Sequence, residues 1–350
     1  MLSTIEEHVL TYLKTAPTSN FLKQEVHVQQ QWQGSENLLW RVQCSMQDAV
    51  LKLYLDAGQA RSRRQFDGQQ QFSPLGIAPR PLWYDRHPQG LARQVLVYEW
   101  MPGVDFNHTD PNQLLTLAQT IAQVHNGDIA DVHRFSPNPV NLDYFWRILQ
   151  GSIRSISEWL AANNAPEMLA LFRLLAGNVQ QLVEATLPMW QGVPPTPVHG
   201  DLKVENCITN FGTVILLDWE LFGLGDPALE AANFLYTHQQ VLDDDTQSHW
   251  LDHYLSLLDQ PNLQQRIDLY SRILPFQSIC FLLSGLQTLQ PATSQQTEAE
   301  QHETRTFIKM ALTSGLTQGS EKLNIHVDHS NLEKAVAQVM VRWEDREIGR

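Results

Sequence analysis

The sequence predicts an α+β protein with a small antiparallel sheet near its start and a larger, mainly helical part after it. β-Prone runs crowd between Val26 and Met101, and amphipathic helical patterns fill most of the chain beyond Met101. One short β-ribbon with polar ends interrupts those helices at residues 206–218.

Residues 4–15 read as a short amphipathic helix, because Ile5, Val9, Tyr12 and Leu13 share a face. Residues 32–37 then separate a run at 26–28 from one at 38–44. A small-residue turn there, with Gly34 and Ser35, can fold its amides over phosphates, although a plain hairpin turn reads the same way. The next strand, 49–54, carries Lys52 inside an apolar run. A buried ammonium requires an anionic partner; an edge-strand lysine that guards against aggregation is the alternative. Residues 94–101 close the β-prone region before Pro102-Gly103. Asp110-Pro111 then caps a helix with Leu114, Leu117, Ile121 and Val124 on one face and His125 as a packed core residue. Further helices are expected at 142–162, 166–190 and 323–350, and Asp226-Pro227 opens another.

The ribbon carries the chemistry. His199-Gly200-Asp201-Leu202-Lys203-Val204-Glu205-Asn206 precedes β-prone runs at 207–209 and 213–217, with Asn210, Phe211 and Gly212 as the turn and Asp218-Trp219-Glu220 after it. Pairing centred near Gly212 sets Asn206 opposite Asp218, about 4.5–5.5 Å apart. An amide oxygen and a carboxylate then meet where magnesium fits, since it takes oxygen ligands and completes its shell with water and substrate phosphates. Asp201 reaches the same cavity and is the candidate base toward an attacking hydroxyl, while Lys203 places positive charge on a transferring phosphoryl group. Turn capping accounts for any one of these four residues but not for all together.

The segment His199 to Asn206, with Asp218-Trp219-Glu220 and Gly225-Asp226-Pro227-Ala228-Leu229-Glu230-Ala231-Ala232, resembles the aminoglycoside phosphotransferase and choline kinase family, over about residues 21–236. The resemblance implies a two-lobed protein-kinase-like fold, with an N-lobe at 1–101 and a C-lobe at 102–350. It also implies an ATP- and Mg2+-dependent kinase for a small-molecule alcohol. In that fold Lys52 binds the α- and β-phosphates beneath Gly34 and Ser35, backbone groups of Glu99 to Met101 bond the adenine edge, and Asn206 and Asp218 hold Mg2+. Glu220 would assist the metal through water, His199 would pack beneath Asp218, and Glu230, where the family has an aspartate, would hold the catalytic loop. One departure concerns the glutamate that normally tethers the lysine, because Gln65 stands in its place. Gln65 accepts a hydrogen bond but supplies no charge, so the tether is expected to have moved to Asp67 or softened. A protein kinase fits poorly, for the chain lacks a full Gly-x-Gly-x-x-Gly loop, Asp-Phe-Gly and Ala-Pro-Glu. Only Gln65 suggests a silent, nucleotide-binding pseudokinase.

A net charge of −14, from 24 basic and 38 acidic residues, disfavours nucleic acid as a partner. Residues 226–303 hold eleven acids against Arg266 and Arg272, a field that would concentrate a cationic acceptor such as an aminoglycoside, choline, ethanolamine or thiamine. A solvated acidic helix face is the alternative. Asp245, His249 and His253, at helical spacing, read as surface residues rather than a zinc site. Cys44, Cys207 and Cys280 show no metal-type spacing and suit a reducing compartment. The start has no signal-peptide core, and the apolar run 273–286, interrupted by Pro275, Gln277 and Ser278, is too short for a bilayer. A soluble cytoplasmic protein with no membrane partner is expected, its oligomeric state left open.

Overall fold

A computed structural model describes residues 2–34, 36–56, 60–288 and 298–347; Ser35 lies outside them. Helix α1 (Leu2–Thr15) precedes strands β1 (His27–Gln33), β2 (Asn37–Gln43) and β3 (Asp48–Tyr54), helix α2 (Arg61–Phe72), and strands β4 (Pro81–Asp85) and β5 (Val95–Glu99). The five strands form one antiparallel sheet in the order β1-β2-β3-β5-β4. β2 alternates, burying Leu38, Trp40 and Val42, whereas the more central β3 is buried on both faces. Val9 and Leu13 of α1 join Phe21, Trp40 and Trp83 in one core. Each such aliphatic side chain contributes about 1.5–3 kcal/mol on full burial, so α1 belongs to the sheet's core. The Tyr12 hydroxyl sits 3.2 Å from both the Trp83 indole nitrogen and Asp85 Oδ2.

Strand β6 (Val104–Asp105) and helices α3 (Pro111–His125), α4 (Leu142–Ala162) and α5 (Pro166–Thr186) come next. Asp110 caps α3 as expected, its carboxylate accepting the Asn112 N–H, and a 3-10 turn carries α5 on to Trp190. Four short strands succeed them: β7 (Thr196–Val198), β8 (Cys207–Asn210), β9 (Thr213–Leu216) and β10 (Gly223–Gly225). The described chain ends in helices α6 (Pro227–His238), α7 (Asp244–Ser256), α8 (Leu263–Thr288), α9 (Glu298–Lys322) and α10 (His329–Glu347). The helix expected from residue 323 therefore begins only at His329, after a turn in which Asn324 has φ 55°.

Helix α8 also departs from expectation, running 26 residues through Pro275. By length and composition it meets the requirement for crossing a membrane, yet 56% of its most apolar window is buried inside the protein. Arg266, on the same helix, is buried as well.

By packing, the chain forms two compact units, one of Met1–Val140, Pro195–Glu230 and Thr237–Asp259, the other of Asn141–Pro194, Ala231–Tyr236 and Gln260–Arg350. The first holds the five-stranded sheet and the β8–β9 ribbon. In the second, α4 packs on α5 and α8, α8 on α9, and α10 on α5. The lobes expected at 1–101 and 102–350 are a division by role rather than by packing, and remain a proposal.

The ribbon forms with a corrected register. Asn210 pairs with Thr213, so Phe211 and Gly212 alone make the turn, at φ 48° and 80°. Positive φ at both positions is the hairpin geometry that matches strand twist. Its centre lies half a residue before Gly212, and Asn206 accordingly faces Leu217, whose N–H bonds the Asn206 carbonyl at 2.7 Å. Asp218 sits one position further. Phe211 is fully exposed in a conformation that suits asparagine better. Phe211→Asn is expected to raise stability by about 1 kcal/mol, read as a higher urea midpoint at unchanged slope.

Candidate active site

The loop bearing Asp201 enters from β7, which pairs with β10. It turns at Gly200, with φ 89°, where a Cβ would collide with the Leu221 carbonyl. The loop hangs from Glu230, whose Oε1 accepts the Gly200 N–H at 2.5 Å and whose Oε2 accepts the His199 N–H at 3.2 Å. His125 Nε2 reaches that Oε2 at 2.8 Å, and its Nδ1 is 2.7 Å from the Tyr254 hydroxyl. Burial alone would raise the Glu230 carboxyl; the His125 hydrogen bond and charge, with His199 and the Gly200 N–H, hold it below the ordinary range. His125 is thus a strut of the loop rather than a simple core filler. His199 is buried, with Nε2 2.7 Å from the Leu217 carbonyl and Nδ1 accepting the Asp201 N–H at 3.3 Å.

Asp201 Oδ2 accepts from Lys203 Nζ at 2.8 Å and from Asn206 Nδ2 at 2.9 Å. The same Nδ2 donates to the Asp201 carbonyl at 2.9 Å. Burial would lower the Lys203 ammonium, but Asp201 outweighs it and the group is held above its usual value. Asp218 follows β9 after one intervening residue, Leu217, at φ 57°. A non-glycine residue there costs about 1–2 kcal/mol, and Trp219 fixes it. The Trp219 indole N–H bonds the Leu216 carbonyl at 2.8 Å, and its ring stacks on Phe72 at 5.0 Å and 15°.

The residues present fit Mg2+. Asn206 has its amide nitrogen engaged by Asp201, which leaves its oxygen as a ligand, and Asp218, two residues past the end of β9, offers a carboxylate. Two hard oxygens suit an ion that takes its remaining ligands from water and phosphate. Among the described residues no three His, Cys, Asp or Glu side chains converge on a metal position; His253 Nε2 lies 3.3 Å from Gln119 Nε2.

Lys52 is buried, with Nζ 2.5 Å from Asp218 Oδ1, 2.9 Å from Glu220 Oε2 and 3.2 Å from Gln65 Oε1. Gln65 Oε1 also accepts the Tyr54 hydroxyl at 2.6 Å. Asp67 does not reach Lys52; it accepts from Arg63 Nε at 2.8 Å and lies 3.8 Å from Arg134. The expected move of the tether to Asp67 is therefore overturned, because Arg63, one turn away on α2, captures that carboxylate. Glu220 pairs with both Lys52 and Arg61. Burial would raise Asp218, but Lys52 outweighs it and holds that carboxyl low; burial, with Asp218 adding to it, leaves Glu220 raised despite Lys52.

A cavity of about 590 Å³ adjoins this cluster, lined in part by Leu39, Val50, Tyr98, Trp100, Ile208 and Leu217. Val50 shares a strand face with Lys52, and Leu217 precedes Asp218, so this largely apolar slot, which Asp105 and Glu205 also line, lies beside the lysine strand and the ribbon. Trp32 stacks on Trp100 at 5.9 Å and 11°. Of the expected adenine contacts, the Glu99 N–H is bonded to the Arg80 carbonyl at 2.9 Å and the Trp100 N–H to Asp48 at 3.0 Å. Among the described residues the Met101 N–H has no such backbone partner. The Glu99 carboxylate pairs with Arg80. The Gly34 N–H closes the β1–β2 turn onto the Asn37 carbonyl at 2.9 Å and does not face outward as a phosphate donor in this conformation.

The acidic stretch proves divided. Asp226 caps α6 by accepting the Ala228 N–H at 3.0 Å, Glu230 holds the loop, and Asp243 caps α7. Asp244, Asp245, Asp252, Asp259 and Asp268 are exposed.

An antiparallel sheet with a buried lysine, a loop bearing Asp201 and a ribbon bearing Asp218 define the protein-kinase-like class of fold. The family model of the Phosphotransferase enzyme family (APH) matches residues 27–268, and the chain belongs to that family. Its structure is similar to a choline/ethanolamine kinase family protein from Mesorhizobium loti, with TM-score 0.59 and 15% identity, covering 96% of this chain and 99% of that one. It is also similar to choline kinase from Cryptosporidium parvum, with TM-score 0.59 and 14% identity, covering 92% and 96%. An aminoglycoside phosphotransferase from Alicyclobacillus acidocaldarius aligns with TM-score 0.54 and 15% identity, covering 92% and 94%. At such identities these likenesses speak for the fold. No curated protein matches the sequence.

Proposed function

We propose that this phosphotransferase uses ATP and Mg2+ to phosphorylate a hydroxyl of a small, cationic molecule of aminoglycoside, choline, ethanolamine or thiamine type. The observation that carries the reading is Asp201, fixed at one oxygen by Lys203 and Asn206, on a loop that runs into the ribbon preceding the Lys52–Asp218 pair. Asp201 orients the acceptor hydroxyl and takes its proton as the new oxygen–phosphorus bond forms. The bond from the γ-phosphorus to the bridging oxygen breaks, and ADP departs. Lys52 and Lys203 offset phosphate charge, while the apolar slot receives the base. Bound to Asn206 and Asp218, Mg2+ would supply further neutralisation of the phosphates. Positioning and electrostatics provide nearly all the acceleration in such reactions. A net charge of −14 favours a cationic acceptor through long-range attraction.

A coupled ADP-release screen over amino-alcohols, thiamine, aminoglycosides and sugars tests the reading. Turnover with at least one acceptor is expected, falling about 10²–10⁴-fold in Asp201→Asn. ATP binding without turnover across the panel would mark a silent pseudokinase instead.

A further inference from the structure

The helix after the lysine strand carries no acid within reach of Lys52, since Gln65 is neutral and Asp67 is held by Arg63. The charge arrives from another element. Glu220, two residues past Asp218 and 8% exposed, places Oε2 2.9 Å from Lys52 Nζ and Oε1 2.9 Å from Arg61 Nη1. Arg61 begins α2 and also pairs with Glu36, in the turn between β1 and β2. The cluster thus joins β3, α2, the turn after β9 and the β1–β2 turn.

Local packing explains how the acid is delivered. Gly68 lies mid-way along α2, and a Cβ there would come 2.8 Å from Trp219 Cε3 and 2.9 Å from Phe222 Cγ. Its absence lets α2 approach the 219–222 turn closely, with Phe72 stacked on Trp219. The residue after Trp219 is thereby set at the foot of α2, between Lys52 and Arg61.

The geometry points to Glu220 as a positioning residue that replaces the missing helix glutamate, holding Lys52 toward the phosphates and linking it through Arg61 to the β1–β2 turn. Charge balance within the cluster supports this. With Asp218 as its only carboxylate, Lys52 would compete with the metal for that oxygen. A second carboxylate keeps the ammonium in place when Asp218 turns to a cation, and Arg61 in turn compensates Glu220. This role rests on the proposed kinase activity.

Glu220→Gln keeps the shape and removes the charge. The expected result is a kcat lower by about 10- to 100-fold, together with an ATP dissociation constant, measured by calorimetry in EDTA, raised at least about fivefold. Adding Gln65→Glu to that variant returns a carboxylate to the atom 3.2 Å from Lys52 Nζ. This double variant is expected to recover ATP affinity to within about threefold of wild type and most of kcat, a rescue that mere packing by Glu220 would not produce. If the single variant is too unstable to assay, the double variant alone decides. An E220Q protein matching wild type in both ATP affinity and kcat overturns the proposal, as does a folded double variant binding ATP more than about tenfold more weakly than wild type. Wild-type protein that binds ATP neither in EDTA nor with Mg2+ sinks the kinase reading itself, whereas normal wild-type binding with an unaffected E220Q sinks only the role of Glu220.

Discussion

Asp218→Asn is expected to lower ATP-dependent phosphorylation by at least about 10³-fold while leaving the folded state intact. The carboxylate is one of the two oxygen ligands proposed for Mg2+ and the nearest partner of Lys52, at 2.5 Å. Asparagine keeps the shape and tolerates the left-handed backbone at φ 57°, so little strain is added. Lys52 would still bond Glu220 at 2.9 Å, and no ammonium is left stranded in the interior. Turnover and denaturant unfolding of the same preparation separate the two effects. Near-normal turnover would remove Asp218 from phosphoryl transfer.

Glu230→Gln is expected to cost about 3 kcal/mol of stability and about 10²-fold in kcat. Each carboxylate oxygen accepts a backbone N–H of the catalytic loop, and Oε2 also meets His125. A glutamine must turn an NH2 toward one of those donors, so at least one buried N–H loses its acceptor. The pH dependence has a defined sign. The folded carboxyl lies below its ordinary range, so the stabilisation is fully present above the unfolded value, roughly 4.3, and is lost as pH falls through the lower folded value. The gap in urea stability between wild type and variant should hold near neutrality and shrink below about pH 4. A constant gap down to pH 3 would show that shape, not charge, is what Glu230 provides.

Much of the site was legible because its residues cluster in sequence. Asp201, Lys203 and Asn206 lie on one loop, and Asp218 comes after a ribbon whose β-prone runs are unambiguous. Helix α4 spans the expected 142–162 because its cap and its apolar spacing agree. The ribbon's register escaped because Phe211 occupies a left-handed position usually given to glycine or asparagine, which moved the turn by half a residue. Glu220 was visible as an acid but not as the partner of Lys52, since nothing local signals a contact across 168 residues. The role of His125 was hidden for the same reason, its partners Glu230 and Tyr254 lying 105 and 129 residues away. Asp67 looks suitable by proximity, but helical spacing to Arg63 is the stronger local rule.

The sheet's apolar core is complete in sequence by Val97, while the carboxylates that pair with Lys52 come from the turn after a ribbon far downstream. At ribosomal speeds of about 5–20 residues per second, the 123 residues from Val97 to Glu220 (220 − 97) amount to a delay of roughly 6–25 s. A nascent sheet that closes early must wait through that interval with its ammonium unmatched by either acid. The charge balance around Lys52 is completed only once Asp218 and Glu220 have emerged, after Asp201, Lys203 and Asn206 have already left the ribosome.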